Sequence, residues 1–259
     1  MIKHIKKITP QFLLNWYRDI RLRKRLKQYK GENVFCPICN STFREFTPFG
    51  FPPRKNACCP RCASLERHRL LWMYFNEKTT LFRENQKVKL LHFAPEETFF
   101  NVFSKNRNME YTPCDIDPSS YRYKGGLKVK KVDISDIPFK DDTFDVVLCN
   151  HVLEHIPDDS QAMSELYRVM KKGAWAILQV PIDLNRKVTY EDFSITTPKG
   201  REEAFGQTDH VRIYGQDYVT RLKKAGFNVV EDAFVKSFSP ENQFRYGLLN
   251  SELIYFCSK

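Results

Sequence analysis

The chain has 259 residues, 42% of them hydrophobic, and a formal net charge of +11. That length suits one full α/β domain plus a smaller module, and the apolar fraction suffices for a true core. No run of 18 apolar residues occurs, which argues against a membrane-spanning helix.

The charge is localised. Residues 1–30 hold ten Lys/Arg against one acid (+9), residues 31–86 amount to +3 and residues 87–259 to −1. The opening MIKHIKKITP has no apolar h-region or small-residue cleavage site, so a cytoplasmic location is the default expectation. From Pro10 to Tyr29, Leu13, Trp16, Tyr17 and Ile20 recur at helical spacing, and Leu22, Leu26 and Tyr29 continue the stripe among Arg21, Arg23, Lys24, Arg25 and Lys27. This predicts a basic amphipathic leader helix within residues 1–30. Such a helix suits peripheral contact with an anionic membrane at its inner face, or, less favoured here, RNA. The alternative is that the stripe packs on the protein's own body.

Five of the eight cysteines crowd into 27 residues. Cys36-Pro-Ile-Cys39 and Cys59-Pro-Arg-Cys62 are two C-P-x-C knuckles, a spacing that fits a tetrahedral four-thiolate zinc ribbon over residues 31–63. Thiolates favour zinc over harder ions, and a closed four-cysteine site leaves no open position, so this metal is expected to be structural. Cys58 is left out because its neighbour completes the better knuckle. Asn40, after the first knuckle, suits a left-handed turn; Ala63, after the second, suits it less well. Cys114, Cys149 and Cys257 stand singly at apolar positions and read as core thiols. Ser64 is expected to cap a linker helix over Leu65–Phe75, within residues 64–86, with Arg67, His68 and Arg69 on a solvated basic edge in preference to reaching toward a substrate anion.

From Lys87 short apolar runs alternate with helical stretches, which predicts an α/β domain over residues 87–259 with a mostly parallel sheet. The expected strands are Val88–Phe93, Tyr111–Asp115, Leu127–Asp133, Phe144–Asn150, Ala174–Val180, Phe227–Val235 and Leu253–Phe256. A helix over Tyr218–Ala225 with Gly226 as its cap precedes the last two. Ligands of doubly wound sheets meet the carboxyl ends of the strands. An acid after the second strand, Asp115, suits paired ribose hydroxyls, and one after the third, Asp133, suits an exocyclic amine.

The series Asp133-Ile-Ser-Asp-Ile-Pro-Phe139, Phe144-Asp-Val-Val147, Val152-Leu-Glu-His-Ile-Pro157, Glu165-Leu-Tyr-Arg-Val169 and Lys172-Gly173 resembles class I S-adenosylmethionine-dependent methyltransferases of the type 11 kind. The resemblance implies a Rossmann-like sheet of seven strands, the last antiparallel, with S-adenosyl-L-methionine over the first, second and fourth. Carried over by position, Asp115 would bind the ribose and Asp133 with the Ile134 backbone the adenine. Asn150 and His151 would border the methionine portion and the transferring methyl. The first loop departs from the family. Where the pattern has an acid followed by G-x-G-x-G, this chain has His92-Phe-Ala94-Pro-Glu96-Glu. His92 replaces the acid, Ala94 the first glycine and Glu96 the second; Ala94 is small enough for close approach, and Glu96 suits the cofactor's ammonium group. This HFAPE loop, behind a four-cysteine ribbon, looks like a bacterial methyltransferase subgroup.

Between the fifth strand and the last helix, Phe205-Gly-Gln-Thr-Asp209-His210-Val-Arg-Ile-Tyr214 concentrates polar and aromatic groups. His210 or Asp209 is a candidate base for a substrate hydroxyl or amine, and His151 a competing one nearer the methyl. The alternative is that Asp209 and His210 merely cap and orient the helix beginning near Gly215. The run Asn150-His-Val-Leu-Glu-His-Ile-Pro157 also contains H-x-x-E-H, a zinc-protease signature. That site needs both histidines on one helix, whereas here the run straddles a strand-to-helix loop closed by Pro157. The expected function is methyl transfer to an oxygen or nitrogen of a small-molecule or lipid-linked saccharide acceptor. RNA is the rival acceptor, and a non-catalytic cofactor-binding or scaffolding module is the third expectation.

Overall fold

The structure, a computed structural model, describes residues 11–83, 87–121, 123 and 127–259, with side chains from residue 16 onward. The first ten residues of the leader and the side chain of Leu13 lie outside the described residues. No helix among the described residues is long and apolar enough to cross a membrane. The chain forms two compact units: Phe234–Glu252 joins everything up to Thr79 in the first, and Thr80–Ala233 with Leu253–Lys259 makes the second. Segment 234–252, expected within the domain over residues 87–259, thus groups with the residues up to Thr79.

In the first unit the leader forms α1 (Gln11–Gln28). Trp16 and Tyr17 on it are exposed, while Leu26 and the following Tyr29 pack on a small core of Val34, Cys36, Phe43, Phe46 and Cys59. Packing on the protein's own body is thus seen at the carboxyl end of the helix. Two hairpins follow, β1 (Val34–Cys36) with β2 (Ser41–Phe43), and β3 (Thr47–Phe49) with β4 (Arg54–Cys58). Helix α2 runs over Glu66–Lys78. Ser64 does not cap it, because its hydroxyl lies 3.3 Å from both Cys36 Sγ and Cys62 Sγ. Instead the Leu65 amide donates to His68 Nδ1 at 3.1 Å.

The expected solvated basic edge of α2 is also corrected. Arg69 is fully buried, with its guanidinium 4.0 Å from the Phe46 ring centre. It donates to the carbonyls of Ser64, Ala57, Tyr246 and Gly247 at 2.5–2.9 Å. Two of those acceptors come from segment 234–252, which carries the helix Pro240–Tyr246. Gly247 ends that helix in the left-handed region (φ +58°), where a Cβ would lie 2.7 Å from Phe46 and 2.8 Å from Arg69. Only glycine meets both demands.

The second unit is built on a seven-stranded sheet. Its strands are β5 (Val88–Phe93), β6 (Met109–Asp115), β7 (Lys130–Lys131), β8 (Phe144–Asn150), β9 (Met170–Gln179), β12 (Asn228–Asp232) and β13 (Ile254–Ser258). The order is β12-β13-β9-β8-β5-β6-β7; β5 to β9 run parallel, and β13 pairs antiparallel with both β9 and β12. Strands β5 and β8 lie at the centre and are almost wholly buried, which is why VKLLHF and FDVVLCN read as continuous apolar runs. The third strand is shorter than expected. Lys130 and Lys131 pair with Cys114 and Asp115 at the sheet edge, and the lysine-rich remainder has no second neighbour. Strand β9 begins earlier than expected, at Met170, through an irregular register against Phe144 and Val146.

Helices α3 (Glu97–Phe103), α4 (Asp159–Val169), α5 (Pro198–Phe205) and α6 (Tyr218–Lys224) complete the unit. A short antiparallel pair, β10 (Tyr190–Glu191) with β11 (Arg212–Ile213), organises the long loop after β9. Cys114, Cys149 and Cys257 are all fully buried, as core thiols should be.

Candidate active site and metal centre

The first unit brings Cys36, Cys39, Cys59 and Cys62 together, their sulfurs all within 4.8 Å of one another. Cys36 and Cys62 are 3.6 Å apart, as are Cys39 and Cys59. A tetrahedral ion with bonds of about 2.3 Å separates its sulfurs by about 3.8 Å, so the four thiols fit a zinc ion. Asn40 (φ +48°) and Ala63 (φ +59°) both adopt the left-handed turn that closes a knuckle. Alanine does so at a cost of about 1 kcal/mol. Cys58 stays outside the cluster.

In the second unit the carboxyl ends of three strands finish level. Phe93 of β5 registers with Cys114 of β6 and Cys149 of β8, so Ala94, Asp115 and Asn150 follow one row. Ala94 takes φ +46°, the conformation a glycine would supply, while its amide donates to the Cys114 carbonyl at 3.0 Å. The glycine-poor loop therefore keeps a glycine-like backbone.

His92 is fully buried at the end of β5. Its Nε2 lies 2.9 Å from Glu96 Oε2 and its Nδ1 2.9 Å from the Tyr111 hydroxyl. An ionised carboxylate only accepts, so the His92 Nε2–H donates to Glu96, and the Tyr111 hydroxyl meets the other ring nitrogen. Burial keeps the Tyr111 phenol far above its usual range, and it stays a donor. Asn150 Nδ2 donates to the other Glu96 oxygen at 3.2 Å. Its own Oδ1 is buried with no hydrogen-bond partner among the described residues. An acceptor so orphaned, beside a carboxylate, fits a ligand bearing an ammonium group.

Asp115 accepts from the Asp117 amide and the Tyr121 hydroxyl, each at 2.7 Å, which leaves lone pairs on both oxygens. A cavity of about 380 Å³ is lined in part by Tyr121, Tyr123 and Phe100. Asp133 Oδ1 accepts from the Ser135 amide at 2.8 Å, and Ile134 is buried beside it. The loop carrying both is clamped from α4. Glu165 accepts from the Ile137 amide and from Arg168, which donates to the carbonyls of Ile137 and Phe139. Glu165 and Arg168 of the E-L-x-R run thus hold this loop in place.

After β8, His151 takes φ +54° and its amide donates to the Gln179 carbonyl at 2.7 Å. Leu153–His155 is a single 3-10 turn, so the H-x-x-E-H residues share no α-helix. His151 Nδ1 lies 3.4 Å from Glu154 Oε1. His210 is buried, and its ring centre is 4.7 Å from that of His155. Burial, with the neighbouring His155, lowers the basicity of His210. Asp209, by contrast, is 68% exposed and lies 3.5 Å from His155 Nδ1. Neither residue caps α6; the Asp217 carboxylate instead accepts from Thr189.

Sequence reading missed two residues that build this corner. Glu154 is 1% exposed and faces both His151 and the His155–His210 pair. Arg212, also 1% exposed, donates to the carbonyls of Leu153, Ile156 and Pro157 and to Glu191. A signal existed for the second: Val211-Arg-Ile-Tyr214 sets a lone charge inside an apolar run.

Residues 97–178 match the family described as Methyltransferase domain. The match runs from α3 into β9 and takes in the Asp115, Asp133 and Asn150 positions. An uncharacterized protein of Methanocaldococcus jannaschii is 41% identical over 101 residues, 38% of this chain and 43% of that protein. Demethylmenaquinone methyltransferase of Streptomyces avermitilis is 46% identical over 70 residues, 26% and 30% of the two chains. Sterol 24-C-methyltransferase of Schizosaccharomyces pombe is 29% identical over 146 residues, 53% and 36%. The chain thus spans less than half the length of these curated relatives. The family match and the sheet order support a class I methyltransferase.

Proposed function

We propose that the chain is an S-adenosylmethionine-dependent methyltransferase acting on an oxygen or nitrogen of a small or lipid-linked saccharide acceptor. The observation that carries the cofactor part is the level row of Ala94, Asp115 and Asn150 at the carboxyl ends of three adjacent strands. Glu96 and the orphaned Asn150 Oδ1 would hold the amino-acid portion, Asp115 the ribose, and Asp133 with the Ile134 backbone the adenine. When bound, the cofactor supplies an electrophilic methyl on a sulfonium centre. The chain's part is to hold the acceptor in line and to take its proton. His151 is the favoured base, because Glu154 Oε1 can steady its imidazolium; His210 is the alternative.

The acceptor part rests on the exposed aromatic and basic surface of α1, where Trp16 and Tyr17 are exposed and the Arg21 guanidinium lies 5.7 Å from the Tyr17 ring centre. The four cysteines would hold one structural zinc.

Calorimetry with S-adenosylmethionine tests the first part: wild-type chain should bind, and Asp115→Ala should bind at least about tenfold more weakly. A folded, zinc-loaded chain that gives no binding heat or competition would end this reading. Co-sedimentation with anionic vesicles tests the second, with Arg21→Glu/Lys24→Glu expected to reduce it. RNA binding with a steep salt slope and no vesicle binding would select the rival acceptor.

A further inference from the structure

We propose that Glu154, His155 and His210 form a binding site for a divalent transition-metal ion, additional to the four-cysteine centre. One ligand atom from each lies within 4.8 Å of the other two, close to the roughly 3–4 Å that separates nitrogen and oxygen ligands on one zinc-like ion. Glu154 is 1% exposed and His210 5%. Glu154 Oε2 is buried with no hydrogen-bond partner among the described residues, a costly arrangement for an ionised oxygen unless a cation meets it.

The Arg212 guanidinium, which bonds the neighbouring Leu153 carbonyl, does not meet that need. Arg212 spends its donors on three carbonyls and Glu191. In doing so it ties the loop carrying Glu154 and His155 to the strand next to His210, as does the Val211 amide on the Glu154 carbonyl at 3.0 Å. The ligand-bearing segments are therefore held together before any ion arrives. His155 Nδ1 lies 3.3 Å from the Asp209 carbonyl, the outer-sphere contact that orients a ligating imidazole.

Two imidazoles and a carboxylate suit borderline ions such as zinc, cobalt or iron(II). Three protein ligands leave a position open, as in catalytic rather than structural sites. His210 also lines a cavity of about 320 Å³ with Asp183 and Gln207, room from which an oxygen of a bound molecule can complete the coordination. Glu154 Oε1 meanwhile faces His151, so the ion and that histidine share one carboxylate. The site stands on this geometry whether or not the chain transfers methyl groups.

Cobalt(II) titration of the full chain tests it, with metal content measured after gel filtration. Cobalt on the cysteines shows intense thiolate-to-metal absorption; cobalt on nitrogen and oxygen does not. The expected result is an equivalent bound without that absorption, with its dissociation constant raised at least about tenfold in His155→Ala and in Glu154→Gln. His155 is half-buried, so His155→Ala keeps the test valid should the buried Glu154 variant fail to fold. If all bound cobalt carries thiolate absorption, or the second equivalent survives His155→Ala unchanged, the proposal is overturned.

Discussion

The imidazole of His92 donates to the carboxylate of Glu96 across 2.9 Å, from a position with no exposure to solvent. Glu96 in turn takes the Asn150 amide, so one carboxylate orients two strand ends. Glu96→Gln keeps the shape but removes the charge. It should lower folding stability by about 2 kcal/mol, the usual worth of a hydrogen bond to an ionised group. It should also weaken S-adenosylmethionine binding at least about tenfold by calorimetry, and affinity unchanged within twofold would remove Glu96 from the cofactor site.

Arg212 supports the corner that carries His151, Glu154 and His155. Arg212→Lys retains a charge but cannot reach three carbonyls and a carboxylate from one planar group. A loss of about 3 kcal/mol in denaturant unfolding is expected, together with weaker cofactor binding. A loss below about 1 kcal/mol would mean that the loop holds itself.

Stability should fall in acid partly through Glu165. The hydrogen-bonded Arg168 guanidinium, opposed by burial and aided by the Ile137 amide, holds this carboxyl below its ordinary value of 4.5. The folded state therefore binds the proton less tightly than the unfolded chain. Its contribution is complete above the ordinary value and is lost as pH falls through the lower folded one. Unfolding free energy measured from roughly pH 5 to 3 should decline less steeply in Glu165→Gln than in wild type. Parallel slopes would assign the acid sensitivity elsewhere.

The four-cysteine site should hold one zinc per chain, and Cys59→Ser should abolish stoichiometric zinc by elemental analysis. Ala63→Gly tests the knuckle without touching a sulfur. Glycine relieves the left-handed strain at φ +59° and should raise stability by about 1 kcal/mol. A fall in melting temperature would contradict the strain argument.

The parts of the molecule legible in the sequence are those whose partners are local or whose environment is uniform. Central strands β5 and β8 are buried on both faces, so their residues alone announce them. The cysteine knuckles are legible because ligand spacing is a property of the chain itself. Edge strand β7 was overestimated, since only two of its lysine-rich residues find a ladder. Arg69 and Arg212 were illegible for one shared reason. A charged side chain reads as solvated until its acceptors are known, and theirs include carbonyls 177 and 56 residues away, respectively. Ser64 misled in the opposite sense: a residue with cap chemistry was recruited by two sulfurs first.

The return of residues 234–252 to the ribbon unit bears on the order in which the molecule can be completed. As the chain is synthesised, Arg69 leaves the ribosome long before the carbonyls of Tyr246 and Gly247 exist to receive it. Until then a cation destined for full burial lacks half of its acceptors, and the amino-terminal unit cannot close. Strand β13 (Ile254–Ser258) follows that segment, so the central sheet is completed only after it has been made. Each unit therefore depends on residues made long after its own first element.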